Sequence, residues 1–497
     1  MERSKGKMSE VKKTARLAAI YAVGIVLEKA ASFIMLPIYT RYLTTADYGT
    51  IELLTMTIDI FCFIAGVGLA ESVFRFYYKY EDPAQRRRVI STAAIMFICF
   101  YGIASAIGLL SSPLLATLIL EGRPIDTQYF RLIFINLFLR SFITMPLLLI
   151  QTQQRPMLFV SVNFCRLVLQ LSLNIYFVVH EGLGVIGVLY SIIITGTLVG
   201  CILVIYSIKN VGINFSKPMA KELIKFGYPI IVSSLAAFII TFSDRFFIKT
   251  FNSLSEVGVY SVGYKFGFLL TVIAAQPIFR IWEPQRFEIA RRPDAQNVNR
   301  RVFQMLNFSL IAVGLGIALF CHDLLCIMSS HDFWNAYKIV PIILLAYIVQ
   351  SWTDFNNFGI QWSGKSHYLA IASTVSAFVI IALSFALIPS WGSMGAAWAT
   401  LLAFLVRFGI VWFYSQREFK LELSWKRNIS MLVLATGIYL FAILFFQDSL
   451  FLSILIKICL FIVYFCGLFV LRILDYDDRQ FVLNFFKNQI AVFRSKG

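Results

Sequence analysis

Seven ionisable residues sit where an ordinary membrane helix has none: Lys29, Asp59, Arg140, Arg166, Lys265, Asp354 and Arg407 each fall near the middle of a long apolar run. A charge at that depth costs at least roughly 2.5–3.5 kcal/mol on insertion scales, so it must face a partner or a water-filled cavity. Two readings of the cations follow. They line a central cavity that receives an anionic headgroup, or they form buried ion pairs that hold helices together. Arginine suits the first because its planar fork makes paired hydrogen bonds to phosphate oxygens, and the short turn between Arg140 and Arg166 allows both to reach one level, as a diphosphate would require.

The embedded acids and their neighbours are candidates for coupling to H+ or Na+ or for gating: Glu28, Asp59, Glu71, Arg75, Asp244, Arg245 and Asp354. Glu28 adjoins Lys29, but consecutive helical residues point about 100° apart and are not thereby paired. Glu71 and Arg75, four apart, share a face and read as a structural pair. Asp244 and Arg245 read as a gate contact or an interfacial anchor. Asp354, Asn356 and Asn357 read as an ion site or as interhelical hydrogen bonding. Arg131, Arg280 and Lys457 lie nearer a face, where long side chains reach out to water. His322-Asp323 and His331-Asp332 are metal-ligating types placed in one outer loop without a constellation, so no metal site is expected. No nucleotide-binding loop, zinc motif or nucleophile elbow is present, and no cofactor is expected.

The elements that must position these residues are transmembrane helices. The 497 residues are 59% hydrophobic, 16% aromatic and 14% charged, whereas soluble domains carry about a quarter charged residues. Runs long enough to cross a hydrocarbon core of about 30 Å recur from Leu17 to Leu474, giving an all-α chain of about fourteen spans. The loops between them alternate: one set carries 30 Lys and Arg, the other only Arg41, Arg123, Lys249 and Lys338. The cation-rich set is expected in the cytoplasm, together with both termini. Topology thus accounts for most of the +17 net charge, and no nucleic-acid partner is expected. The eight cysteines form no disulfide framework, and no cleavable signal peptide is expected.

The expected divisions are a basic N-terminus (1–16), helices 1–6 (17–208), a cytoplasmic linker (209–225), helices 7–12 (226–414), helices 13–14 (429–474) and a tail (475–497) in which Val482, Phe485, Phe486, Ile490 and Phe493 suit an interfacial amphipathic helix. Prolines 37, 146, 229, 277 and 341 lie in or at the ends of helices and read as kinks or hinges. A weak repeat links Leu43-Thr44-Thr45-Ala46-Asp47-Tyr48-Gly49 with Leu254-Ser255-Glu256-Val257-Gly258-Val259-Tyr260, six helices apart and in parallel orientation.

The stretch Lys29 to Leu43 with Asp47-Tyr48-Gly49, the stretch Gly68 to Tyr78, Ser243-Asp244-Arg245-Phe246-Phe247 and Gly258 to Lys265 together resemble bacterial oligosaccharide flippases of the polysaccharide-export type, which handle O-antigen and capsule repeat units. That family belongs to the multidrug/oligosaccharidyl-lipid/polysaccharide superfamily. The resemblance implies two six-helix lobes around a central cavity that opens alternately to each side of the cytoplasmic membrane. It implies as cargo an undecaprenyl diphosphate-linked oligosaccharide; the deep cations Lys29, Arg140, Arg166, Lys265 and Arg407 are the candidates to bind its diphosphate, with polysaccharide assembly proteins as expected partners and no covalent chemistry. Helices 13 and 14 exceed the twelve-helix core and suit a lipid-tail groove. The rivals are a multidrug cation antiporter of the same superfamily, which would need acids to dominate the cavity, and a membrane-embedded glycosyltransferase or polymerase, which would need a larger outer loop.

Overall fold

The computed structural model describes residues 33–66, 68–444 and 450–470, and every regular element among them is helical. Ten helices are long and apolar enough to cross a bilayer, or eleven if the 3-10 segment His331–Lys338 is joined to the helix it meets at 46°. The chain is therefore an all-α, multi-pass membrane protein. The expectation of fourteen spans reaches beyond this range: Glu28, Lys29, most of the first span and the tail 475–497 lie outside the described residues.

In chain order the helices are α1 (Leu36–Tyr42), α2 (Thr45–Gly66), α3 (Leu69–Lys79), α4 (Pro83–Ile119), α5 (Pro124–Thr152), α6 (Pro156–Asn174), α7 (Gly184–Val211) and α8 (Lys217–Phe242). They continue with α9 (Asp244–Phe251), α10 (Leu254–Leu270), α11 (Gln276–Ile289), α12 (Ala295–Met328), α13 (Val340–Trp362), α14 (His367–Glu418), α15 (Trp425–Leu444) and α16 (Leu450–Val470). The chain falls into two compact units. The first takes Met1–Val262 with Met328–Phe333 and Ala377–Ala396, and the second takes Gly263–Ile327, Trp334–Ser376 and Ala397–Gly497.

Proline marks where many of these helices begin. Helices α1, α4, α5, α6, α8, α11 and α13 carry it in their first two positions, where the missing N–H would have had no intrahelical partner. Pro277 follows a π-helical turn (Thr271–Ala275) inside the continuous span Leu254–Ile289, and Pro341 follows the 46° bend between His331–Lys338 and α13, so both mark irregularities of a span, as kinks do; Pro37 lies in the first turn of α1, and Pro146 and Pro229 lie within α5 and α8. At the start of α4, Asp82 accepts from the Ala84 N–H at 3.0 Å, satisfying one of the orphan donors there.

The 52 residues of α14 would make a straight rod of about 78 Å, far longer than a bilayer core. Gly392 breaks it with φ 53° and ψ −134°, so two spans lie end to end, as the sequence led us to expect for 368–388 and 394–414. The new N-terminus at Ser393 donates its N–H to Glu256 Oε1 at 2.6 Å, and a β-carbon on Gly392 would fall on that same carboxylate.

Helix α5 is central to the first unit, with Phe130, Phe134, Leu137 and Ile150 fully buried, and Ser105 of α4 donates to the Phe134 carbonyl at 2.6 Å. Helix α13 plays that part in the second, where Phe355, Phe358 and Ile360 are fully buried and Phe355 stacks on Trp282 at 4.2 Å. Buried indoles still need an acceptor. Trp352 donates to Asn307 Oδ1 at 2.6 Å and Trp282 to Asn299 Oδ1 at 3.2 Å.

Two glycine substitutions should therefore move stability in opposite directions. Gly392→Ala forces a side chain into strained backbone and against Glu256, and should destabilise by about 1–3 kcal/mol. Gly437→Ala, in a helix interior with open space around it, should be neutral or stabilise by up to about 1 kcal/mol. Thermal unfolding of the two variants in detergent measures the contrast.

Candidate functional site

Within the first unit, Asp59 of α2 and Arg140 of α5 meet across 81 residues of sequence: Arg140 Nη1 lies 2.8 Å from Asp59 Oδ1. The same nitrogen is 3.3 Å from the Sγ of Cys62, one turn along α2 from Asp59, and Tyr101 of α4 donates to the Cys62 carbonyl at 3.4 Å. The pair is not sealed, for the arginine and aspartate side chains remain 34% and 40% exposed. A single terminal nitrogen of the guanidinium makes both of these contacts.

In the second unit, Gln350, Asp354 and Asn357 share one face of α13. Gln350 donates to both oxygens of Asp354 at 3.1 and 3.2 Å, and Asn357 donates at 3.5 Å. Arg407 of α14 donates to Gln350 Oε1 at 3.3 Å. The glutamine amide therefore connects Arg407 to Asp354, taking from one and giving to the other. Asn356, read with this cluster, instead turns back to the Trp352 carbonyl of its own helix at 2.8 Å.

Arg286 escaped the sequence reading, which placed it among the loop cations. It lies in α11, 8% exposed, among the rings of Trp282, Phe287 and Phe358, and donates to Gln361. The available signal was spacing: Trp282, Arg286 and Ile289 recur at helical intervals and are the buried residues of α11.

Asp244 and Arg245 form a sealed cluster. Arg245 Nη1 is 2.7 Å from Asp244 Oδ1 and 3.0 Å from the Thr241 carbonyl, and Tyr260 donates to Asp244 Oδ2 at 2.5 Å. Both side chains are at most 3% exposed, which an interfacial anchor would not be.

Three further expectations are corrected. Lys457 does not reach out to water: its Nζ lies 2.6 Å from Asp323 Oδ2, with Ser453 donating to Oδ1 at 3.2 Å, and the pair is 4–5% exposed. His322 and Asp323 accordingly belong to α12 rather than to a loop, with His322 packed against Tyr337. Glu71 and Arg75 make no ion pair among the described residues. The Arg75 guanidinium instead lies over the Phe226 ring at 4.3 Å, because packing against α8 offers a nearby aromatic face. Arg166 on α6 and Lys265 on α10 are half-buried.

A family model described as "Polysaccharide biosynthesis protein" matches residues 15–290. A Haloferax volcanii protein named a probable low-salt glycan biosynthesis flippase, Agl15, is 23% identical over 238 residues, covering 46% of this chain and 49% of that protein. The chain spans about half the length of the curated relatives it matches. Among solved structures, the lipid II flippase MurJ in an inward closed conformation has a TM-score of 0.73 at 12% identity, over 91% of this chain and 99% of that one. An inward-facing multidrug resistance MATE family transporter of the MOP superfamily has a TM-score of 0.59 at 14% identity, over 80% of this chain and 97% of that one. These likenesses establish the transporter fold.

The sealed Asp323–Lys457 pair makes a stability prediction. Lys457→Met alone strands a buried carboxylate and should cost about 3–5 kcal/mol, whereas Lys457→Met with Asp323→Leu should recover most of that loss. Unfolding temperatures of the single and double variants check it.

Proposed function

Because the chain belongs to the polysaccharide biosynthesis protein family, we propose that it is a flippase that moves an undecaprenyl diphosphate-linked oligosaccharide across the cytoplasmic membrane for surface polysaccharide synthesis. The observation that carries this reading is the half-open Asp59–Arg140 pair. Arg140 is held in position by one nitrogen and offers the remaining edge of its fork to a diphosphate, whose charge-assisted hydrogen bonds are worth about 1.5–3 kcal/mol each. Arg166, Lys265 and Arg407 are further cations of this reading, together with Lys29, which lies outside the described residues. Binding needs no covalent step: the two lobes rock about the cargo, with polysaccharide assembly proteins receiving it.

Asp59 is the coupling group in this reading. When the diphosphate draws Arg140 away, the carboxylate loses its counter-charge and takes up H+ or Na+, so the empty and loaded states differ in ion occupancy. Asp354, connected to Arg407 through Gln350, is a second group of this kind. The loop-charge bias supports cytoplasmic termini. Helices α12, α13 and α15 enclose an apolar groove lined by Ile311, Leu315, Leu344, Ile348, Leu432 and Tyr439, which suits the prenyl tail.

Proteoliposomes containing the purified chain and a fluorescent lipid-linked oligosaccharide test the assignment. Arg140→Gln should lower transfer by about tenfold or more, the loss of one to two charge-assisted bonds. Asp59→Asn should retain cargo binding while transfer ceases to respond to an imposed ion gradient. Undiminished transfer in Arg140→Gln, or the appearance of polymerised sugar from the wild-type protein, would overturn the proposal.

A further inference from the structure

The two copies of the sequence repeat touch each other, and they do so reciprocally. Helix α2 opens at Thr45 and α10 at Leu254, and each has a glycine four residues on, Gly49 and Gly258. A β-carbon on Gly49 would fall on the Leu254 carbonyl oxygen, and one on Gly258 would fall on the Thr45 carbonyl oxygen. The first turn of each helix therefore lies directly against the backbone of the other, and only glycine permits that approach at either position.

Two helix N-termini brought together present like partial charges, and each carries an acid in its first turn that offsets this. Asp47 is bound within its own turn, accepting from the Thr44 hydroxyl at 2.7 Å and the Thr44 N–H at 3.2 Å. Glu256 starts the same way, its N–H donating to Ser253 Oγ at 3.2 Å, but its carboxylate reaches the N–H of Ser393 at the break in α14. Nearby, Ser330 donates its N–H to the Thr40 carbonyl at 3.1 Å, and Tyr48, 1% exposed, packs edge-on against Phe333. One end of the first unit is thus shut by backbone contacts, with the crossing of α2 and α10 at its centre.

We propose that this crossing is a clasp that holds the outward end closed, with Gly49 and Gly258 as the positioning residues for the opening step and Glu256 linking its release to the segment that begins at Ser393. The proposal rests on the flippase reading for its place in a transport cycle and on the expected outward position of the cation-poor loops. Because the two glycines serve one contact, a side chain at either has the same effect: it disfavours the closed state and leaves the rest of each helix intact.

The test uses Thr50→Cys as reporter. Thr50 is 2% exposed and adjoins Gly49, and the exchange removes only a methyl group while replacing the hydroxyl by a thiol. In full-length chain lacking the eight native cysteines, an impermeant maleimide added to right-side-out vesicles should label this site slowly. Adding Gly49→Val or Gly258→Val should raise the rate by about tenfold or more, as expected when a minor open state becomes a major one. Gly409→Ala, which has open space around it, is the control and should leave the rate unchanged. In a second background that keeps only Cys62, labelling from inside-out vesicles should fall in the same valine variants, since opening outward closes the opposite side. No rise at Thr50→Cys overturns the clasp, and so does a rise at both reporters, which signifies local unfolding. Labelling is read without cargo, so either outcome leaves the flippase assignment to be judged by the Arg140→Gln transfer assay.

Discussion

An ionised side chain carried into hydrocarbon gives up its hydration, and the protein must return that energy through a partner, a ring face or retained water. Several embedded charges among the described residues show one of these solutions. Asp244–Arg245 and Asp323–Lys457 are sealed pairs, each with its carboxylate also accepting from a neighbouring hydroxyl. Arg75 and Arg286 rest on aromatic faces. Asp59–Arg140 differs in being bonded and half-open at once, and that difference is why the proposed cargo site is placed there.

The apolar helices follow the same economy at the level of the backbone. With no water to bond to, each N–H and C=O is satisfied along its own helix, and irregular backbone survives only where another group caps it. The Ser393 N–H at the Gly392 break meets a carboxylate, and the buried indole N–H groups of Trp282 and Trp352 meet asparagine side chains.

The helices themselves were legible because hydropathy and loop charge act over about twenty residues at a time and average out local error. The division of α14 at Gly392 was anticipated in this way. Individual side chains were less legible, because a charge four residues from a possible partner says nothing about the neighbouring helix. Glu71 and Arg75 have helical spacing, yet Phe226 claimed the arginine. Lys457 sits where it can reach an interface, yet Asp323, 134 residues earlier, draws it inward. Arg286 was assigned to a loop because charge outweighed the Trp282–Arg286–Ile289 periodicity. The sequence repeat was visible, but that its two copies are each other's neighbours depends on tertiary structure.

The Asp323–Lys457 pair also bears on how the chain is made. Lys457 is the one charged residue of α16, and the acid that neutralises it belongs to α12, synthesised well before. Until α16 enters the bilayer, Asp323 is a carboxylate awaiting its counter-ion, and until it meets Asp323, α16 carries an uncompensated ammonium. The two are matched halves of a late assembly step, in which the last described helix is retained by the charge it neutralises. Assembly of the second unit is thereby completed only once α16 has been made and has brought Lys457 to Asp323.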